Sequence, residues 1–204
     1  MTVRSQDGAG IDAGIVVPLR SFSFGKARLS PVLSERERAA LARAMAERVV
    51  GAAGTRPVAV VTSDPDVETW ARGRGCDVVA DPGSLDRAAA AGREWARTLG
   101  LLRYAVVHAD LPLVRTFDAV TGAGAARLAV VVPDRHDDGT PVISLPADVP
   151  FAFAYGPGSA ARHVAEAERH ALAVEVLHDE TLNFDVDVAD DLDQLDALRR
   201  IGIS

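Results

Sequence analysis

Five short apolar runs constrain this chain more than any other feature. They are GIVVPL (14–19), PVAVVT (57–62), DVVAD (77–81), YAVVHAD (104–110) and RLAVVVPD (127–134). Each is short enough for a strand. Each is dominated by Val, Leu, Ile or Ala, without the polar alternation of a half-solvated strand, so each reads as buried on both faces. Helical patterns separate the first four. Ser34 and Glu37 fit a capping box, and Ala40, Leu41, Ala44, Met45 and Val49 then recur at helical spacing. Asp64 caps a shorter helix that stops near Gly75, and a third runs over 84–100. Strands alternating with helices imply an α/β fold with a largely parallel sheet flanked by helices.

After residue 133 the rhythm changes. TPVISL, FAFAYGPG, ALAVEVL and NFDVDV are strand-like, with one helix, SAARHVAEAERHA, among them; ADDLDQLDALRRIG forms a closing helix. The sheet is therefore expected to be mixed. One domain is expected over 1–204, with residues 1–13 as a loose polar tail and an exposed strand edge in the C-terminal half that suits a homodimer.

Charge and cysteine content narrow the function. A net charge of −7 argues against sequence-independent nucleic-acid binding, which needs a broad basic face. The single Cys76 allows no internal disulfide and no Cys-based metal site, and reads as a buried thiol. No apolar run approaches the roughly 20 residues of a membrane span, and the start of the chain has no apolar signal core. A cytoplasmic protein is the simplest expectation.

In open α/β sheets ligands bind beyond the carboxyl ends of the strands, which selects five stretches. Arg20, Lys26 and Arg28 follow the first strand. Such cations suit a di- or triphosphate, although no Walker sequence is present and a solvated basic loop fits the same pattern. Asp110 ends the fourth strand before Leu-Pro, where a lone carboxylate suits Mg²⁺ or simply starts a turn. His108, two residues earlier, is read as structural. Asp185 and Asp187 alternate with Val186 and so share a face, where a cation between them would relieve their repulsion. Asp190 and Asp191 belong to the first helical turn, which favours negative charge. YGPGSAARH (155–163) runs Gly-Pro-Gly-Ser into a helix, giving either an anion site or an ordinary serine cap. PDRHDDGTP (133–141) is a loop whose Thr140 offers a hydroxyl.

Taken in order, GIVVPLRSFSFGKARLSP, VVTSD, ADPGSL, HADLPL, DRHDDGT, FAYGPGSAARH and FDVDVADDL resemble the CofC family of 2-phospho-L-lactate and phosphoenolpyruvate guanylyltransferases. The resemblance covers nearly the whole chain. It implies a three-layer GT-A or MobA-like nucleotidyltransferase. It also implies Mg²⁺-dependent transfer of GMP from GTP to 2-phospho-L-lactate, phosphoenolpyruvate or 3-phosphoglycerate, with release of pyrophosphate. The product would pass to a deazaflavin transferase in coenzyme F-420 biosynthesis. Carried over residue by residue, Arg20, Lys26 and Arg28 hold the triphosphate, with Lys26, Arg28 and Asp110 catalytic. Gly83 and Asp86 lie on the nucleotide side. Thr140, Gly156 and Ser159 hold the acceptor, and Asp110, Asp185 and Asp187 hold one or two Mg²⁺ ions. Asp86 stands where the family tends to have Asn, which leaves open another nucleotide such as CTP. Pro141 removes an N–H beside Thr140, and Val188-Ala189 replace the usual Thr-Pro. A phosphosugar-type acceptor and a catalytically inactive nucleotide-binding protein are the other readings.

Overall fold

The computed structural model describes residues 13–23, 26–122 and 126–200. The tail expected over 1–13 lies outside these up to residue 12, and Ala13 already opens the first strand. Seven strands form one sheet: β1 (Ala13–Pro18), β2 (Val58–Thr62), β3 (Asp77–Ala80), β4 (Arg103–Val107), β5 (Leu128–Val132), β6 (Val142–Pro146) and β7 (Ala173–Val176). Their order is β3-β2-β1-β4-β6-β5-β7. Only β6 runs against the rest, paired antiparallel with both β4 and β5. The short 133–141 connection explains the reversal, because a parallel return needs a crossover of a dozen or more residues.

Six helices accompany the sheet: α1 (Glu35–Ala52), α2 (Pro65–Arg72), α3 (Leu85–Thr98), α4 (Asp118–Thr121), α5 (Ser159–Arg169) and α6 (Ala189–Arg200). The Ser34–Glu37 capping box forms, and the Asp64 carboxylate caps α2 through the N–H groups of Asp66 and Val67. Alternate strand residues feed two cores. Ile15, Val17, Val58 and Val60 pack with α1 and α2 on one face. Val16, Ala59, Val61 and Val106 pack with α3 on the other. This two-sided burial is why the strands carry so little polar alternation. Gly92 shows how tightly α3 lies on β1, since a Cβ there would stand 2.2 Å from a Val16 methyl. Cys76 is buried, and burial pushes its thiol pKa up.

Two strand-like stretches are extended without joining the sheet. FAFAYGPG crosses the α3–α5 face as an unpaired segment, with Phe151 buried. NFDVDV inserts Phe184 and Val186 into a third apolar cluster with Leu29, Met45, Leu113 and Leu195. Alternation there reflects one buried side, not a ladder.

Candidate active site

The chain winds outward from β1 through β2 to β3, then returns to place β4 on the other side of β1. Strand order therefore reverses between β1 and β4, and the crevice beyond their carboxyl ends is where such a sheet binds ligands. A cleft of about 470 Å³ lies there, lined by Leu19, Arg20, Lys26, His108, Asp110 and Asp187 among others. A second hollow shares Pro18, Arg20 and Leu85 with it and continues past Val61, Asp81, Gly83 and Ser84.

Lys26 is the centre of the cleft. It has φ 62, in the left-handed region, and starts a short 3₁₀ turn, Ala27–Leu29. Its ammonium donates to Asp110 and, at 2.8 Å, to Asp187, with only 8% of the side chain exposed. Burial alone would lower the Lys26 pKa, but Asp110 and Asp187 outweigh it and hold the pKa above its ordinary value. Burial would likewise raise Asp110, and Lys26 and His108 outweigh it, leaving Asp110 below the usual carboxylate range. Oδ1 of Asp110 is buried and has no hydrogen-bond partner. Asp185 is pushed up by burial and by the charges of Asp110 and Asp187. Two of the three carboxylates expected to hold metal, Asp110 and Asp187, share Lys26 as their cation, while Asp185 lies 3.8 Å from the Arg135 guanidinium. Among the described residues no three acidic, His or Cys side chains enclose a metal-sized space.

Asp185 and Asp187 are positioned by Asp191 and Arg135, neither of which was expected to serve the site. The Asp191 carboxylate accepts from the N–H groups of Asp187 and Val188 at 2.6 and 2.8 Å. Arg135 donates to Asp191 and to the Asp185 carbonyl at 2.8 and 3.1 Å, with its guanidinium over the Phe184 ring. Asp191, at helical spacing behind Asp187, was legible as a local cap; Arg135 carried no sequence signal.

The cations divide. Arg20 pairs with Asp81 at 3.1 Å and donates to the Gly83 carbonyl, which joins the β1 loop to the β3 loop. Gly83 itself turns with φ +98. Arg28 is exposed, has no ion pair among the described residues and lies outside those lining the cleft. Asp86, expected on the nucleotide side, has a structural contact in this chain. In the first turn of α3 it accepts from the Tyr155 N–H at 2.7 Å, so it ties α3 to the FAYGPG segment.

Thr140 and Ser159 meet as expected of one pocket, their hydroxyls 2.9 Å apart, but both are buried. Gly156 is exposed beside them with φ +98. The α5 start is not an open anion site. Gly158 is the cap residue, and Asp138 accepts from the N–H groups of Gly158 and Ala160 at 2.8 and 3.1 Å. Arg162 spends its guanidinium on the carbonyls of residues 154–157. His163 accepts from the Ala154 N–H through Nε2, which leaves its proton on Nδ1 to donate to Thr140 at 3.1 Å.

Burial pushes the His163 pKa down to about 4 from 6.5. A depressed folded-state value favours folding above the unfolded value, and that contribution is lost as pH falls. Wild-type protein should therefore lose about 3 kcal/mol between pH 6.5 and 4 from this group. His163→Gln should remove that part of the slope in urea unfolding midpoints. Parallel pH profiles would show that His163 is not its source.

The sequence profile described as "Guanylyl transferase CofC like" matches residues 13–197. The chain belongs to this family. A phosphoenolpyruvate guanylyltransferase from Conexibacter woesei is 36% identical over 190 residues, covering 88% of this chain and 85% of the relative. Another so named, from Rubrobacter xylanophilus, is 37% identical over 191 residues, covering 89% and 92%. The family is one of nucleotidyl-transferring enzymes. Among solved structures, a Desulfovibrio desulfuricans protein assigned as a nucleotide-diphospho-sugar transferase superposes with TM-score 0.73 at 18% identity, covering 94% and 92% of the two chains. The CMP:2-keto-3-deoxy-manno-octonic acid synthetase complexed with CTP gives TM-score 0.57 at 18% identity, covering 93% and 99%. At that identity the structures support the fold, a nucleotidyltransferase sheet flanked by helices. Among the described residues no helix is long and apolar enough to cross a membrane.

Proposed function

We propose that this protein transfers GMP from GTP to the phosphate of a phosphorylated three-carbon acid, phosphoenolpyruvate foremost, and releases pyrophosphate. The observation that carries the reading is the buried Lys26 between Asp110 and Asp187 at the β1–β4 crevice of a chain from this family. An acceptor phosphate oxygen attacks the α-phosphorus of GTP in line. The bond from that phosphorus to the bridging oxygen breaks, and its electron pair leaves with pyrophosphate. A phosphate nucleophile is already ionised at neutral pH, so the site needs no general base. The protein's work is positioning and charge neutralisation. Arg20 and Lys26 hold the triphosphate and stabilise the leaving group, with the exposed Arg28 free to swing toward it.

The donor types suit Mg²⁺. Asp110, Asp185 and Asp187 would supply hard carboxylate oxygens once drawn together, one oxygen of Asp110 lacks a partner, and the pKa of Asp185 is raised by burial and by the charges of Asp110 and Asp187. Lys26 must withdraw for these three to act as ligands. When bound, Mg²⁺ supplies charge neutralisation at the reacting phosphates. The product, a guanylylated acid, suits a downstream deazaflavin transferase of coenzyme F-420 assembly.

The test is pyrophosphate release with Mg-GTP and each of phosphoenolpyruvate, 2-phospho-L-lactate and 3-phosphoglycerate. The deazaflavin transferase is added to remove product. Turnover is expected with GTP and one acid, at least about tenfold above CTP, ATP or UTP, the size of one or two well-formed base contacts. Tight Mg-GTP binding with no pyrophosphate from any acid would overturn the reading. One oxygen of the Asp86 carboxylate is taken by the Tyr155 N–H, which gives this residue a structural reason independent of the base.

A further inference from the structure

The carboxyl end of β4 carries a second polar side chain that the proposed chemistry does not use. His108 lines the same cleft as Lys26, Asp110 and Asp187. Its backbone N–H donates to the Pro141 carbonyl at 2.9 Å, which fastens it beside Thr140. Its ring lies against that of Tyr155, centroids 5.6 Å apart, at the start of the Gly-Pro-Gly turn. The imidazole therefore stands between the carboxylate cluster and the segments that carry Thr140, Gly156 and Ser159.

Its hydrogen bonding is incomplete. Nε2 of His108 is buried without a partner. The contrast with His163, on the other side of Tyr155, is direct: both of its ring nitrogens are paired within the protein. Buried polar groups are rarely left unpaired, and one facing a ligand cleft marks a place where the ligand supplies the partner. The nucleotide phosphates already have cations in Arg20 and Lys26. An acceptor whose phosphate lies at the carboxylate cluster directs its other charged end, a carboxylate, toward the Tyr155 side.

We infer that His108 is a specificity-determining residue that donates a hydrogen bond to the carboxylate of the acceptor. The inference rests on the proposed acceptor class and deepens it. It explains how the site distinguishes a phosphorylated acid from a plain phosphate monoester, since a site built around such a bond rejects analogues that lack the group.

The experiment measures pyrophosphate release for wild type, His108→Phe and His108→Gln with Mg-GTP and the acid that wild type uses. Ethyl phosphate, a monoester without the carboxylate, serves as competitive inhibitor. For His108→Phe the KM for the acid should rise by about tenfold or more, as for loss of one charge-assisted hydrogen bond. The KM for GTP and the inhibition constant of ethyl phosphate should stay within about twofold, because neither meets the lost N–H. His108→Gln, which keeps a donor, should recover most of the acid KM. An unchanged acid KM in His108→Phe overturns the inference and leaves the guanylyltransferase reading standing. Equal losses for acid and ethyl phosphate also overturn it, since they mark a structural role. A wild type that uses none of the acids overturns the acceptor reading, and this inference with it.

Discussion

Asp187→Asn is expected to lower kcat for pyrophosphate release by about a hundredfold or more, the scale of removing one preorganised electrostatic group. Unfolding free energy should change by less than about 1 kcal/mol, as for an exposed ion pair. The two effects separate because of how Asp187 is held. Its side chain is half exposed and, among the described residues, pairs with Lys26 alone, whereas its backbone N–H is fixed by Asp191. Phe184 and Val186 anchor the same segment in the third apolar cluster. An amide at 187 therefore leaves the segment in place and removes only the charge. That charge is one of the two that hold Lys26, and on the proposed reading one of three for a divalent cation. Saturating Mg-GTP kinetics and urea unfolding on the same preparation check both halves. Near-normal turnover would remove Asp187 from the catalytic set, and a large loss of stability would make it structural.

The sheet was legible because its inner strands β2, β1, β4, β6 and β5 are buried on both faces, which leaves uninterrupted apolar runs; the edge strands β3 and β7 are more exposed than their apolar composition implies. What the sequence could not show was pairing. FAFAYGPG and NFDVDV alternate like strands because one side of each is buried, and period-two burial looks the same whether or not the backbone joins a ladder. The return of β6 beside β4 also has no local signal, although the missing helix before it implies an antiparallel neighbour. At the site, residue types were readable and relations were not. Asp185 and Asp187 share a face as their spacing requires, and Thr140 meets Ser159. Lys26 reads as a cation for phosphate; nothing local says that its ammonium rests among carboxylates. Asp86, read as a nucleotide contact, also accepts from the Tyr155 backbone, a bond that nothing local signals. Arg135, drawn from a stretch with only turn composition, fixes the segment that carries two of the carboxylates.

The position of Lys26 leads to the second large effect. Lys26→Met keeps most of the apolar stem and removes the ammonium, so the backbone at φ 62 is no more strained than before. Asp110 then loses its cation while staying largely buried, with one buried oxygen already unpaired. Breaking a buried pair by removing one partner costs about 3 kcal/mol or more, because the remaining charge is left uncompensated. In EDTA, Lys26→Met should therefore unfold at lower urea concentration than wild type by that amount. Mg²⁺ should act to very different extents on the two proteins. In the wild type a metal ion must compete with the ammonium for Asp110 and Asp187, so Mg²⁺ alone should stabilise little. In the variant the carboxylates have no competing cation, and Mg²⁺ should recover much of the lost stability through binding to the folded state alone. Turnover should nevertheless stay far below wild type, since the leaving pyrophosphate has lost its nearest cation. Equal unfolding midpoints in EDTA would mean that Asp110 does not depend on Lys26. Equal stabilisation of both proteins by Mg²⁺ would mean that lysine and metal do not share the carboxylates, and would place the ion elsewhere.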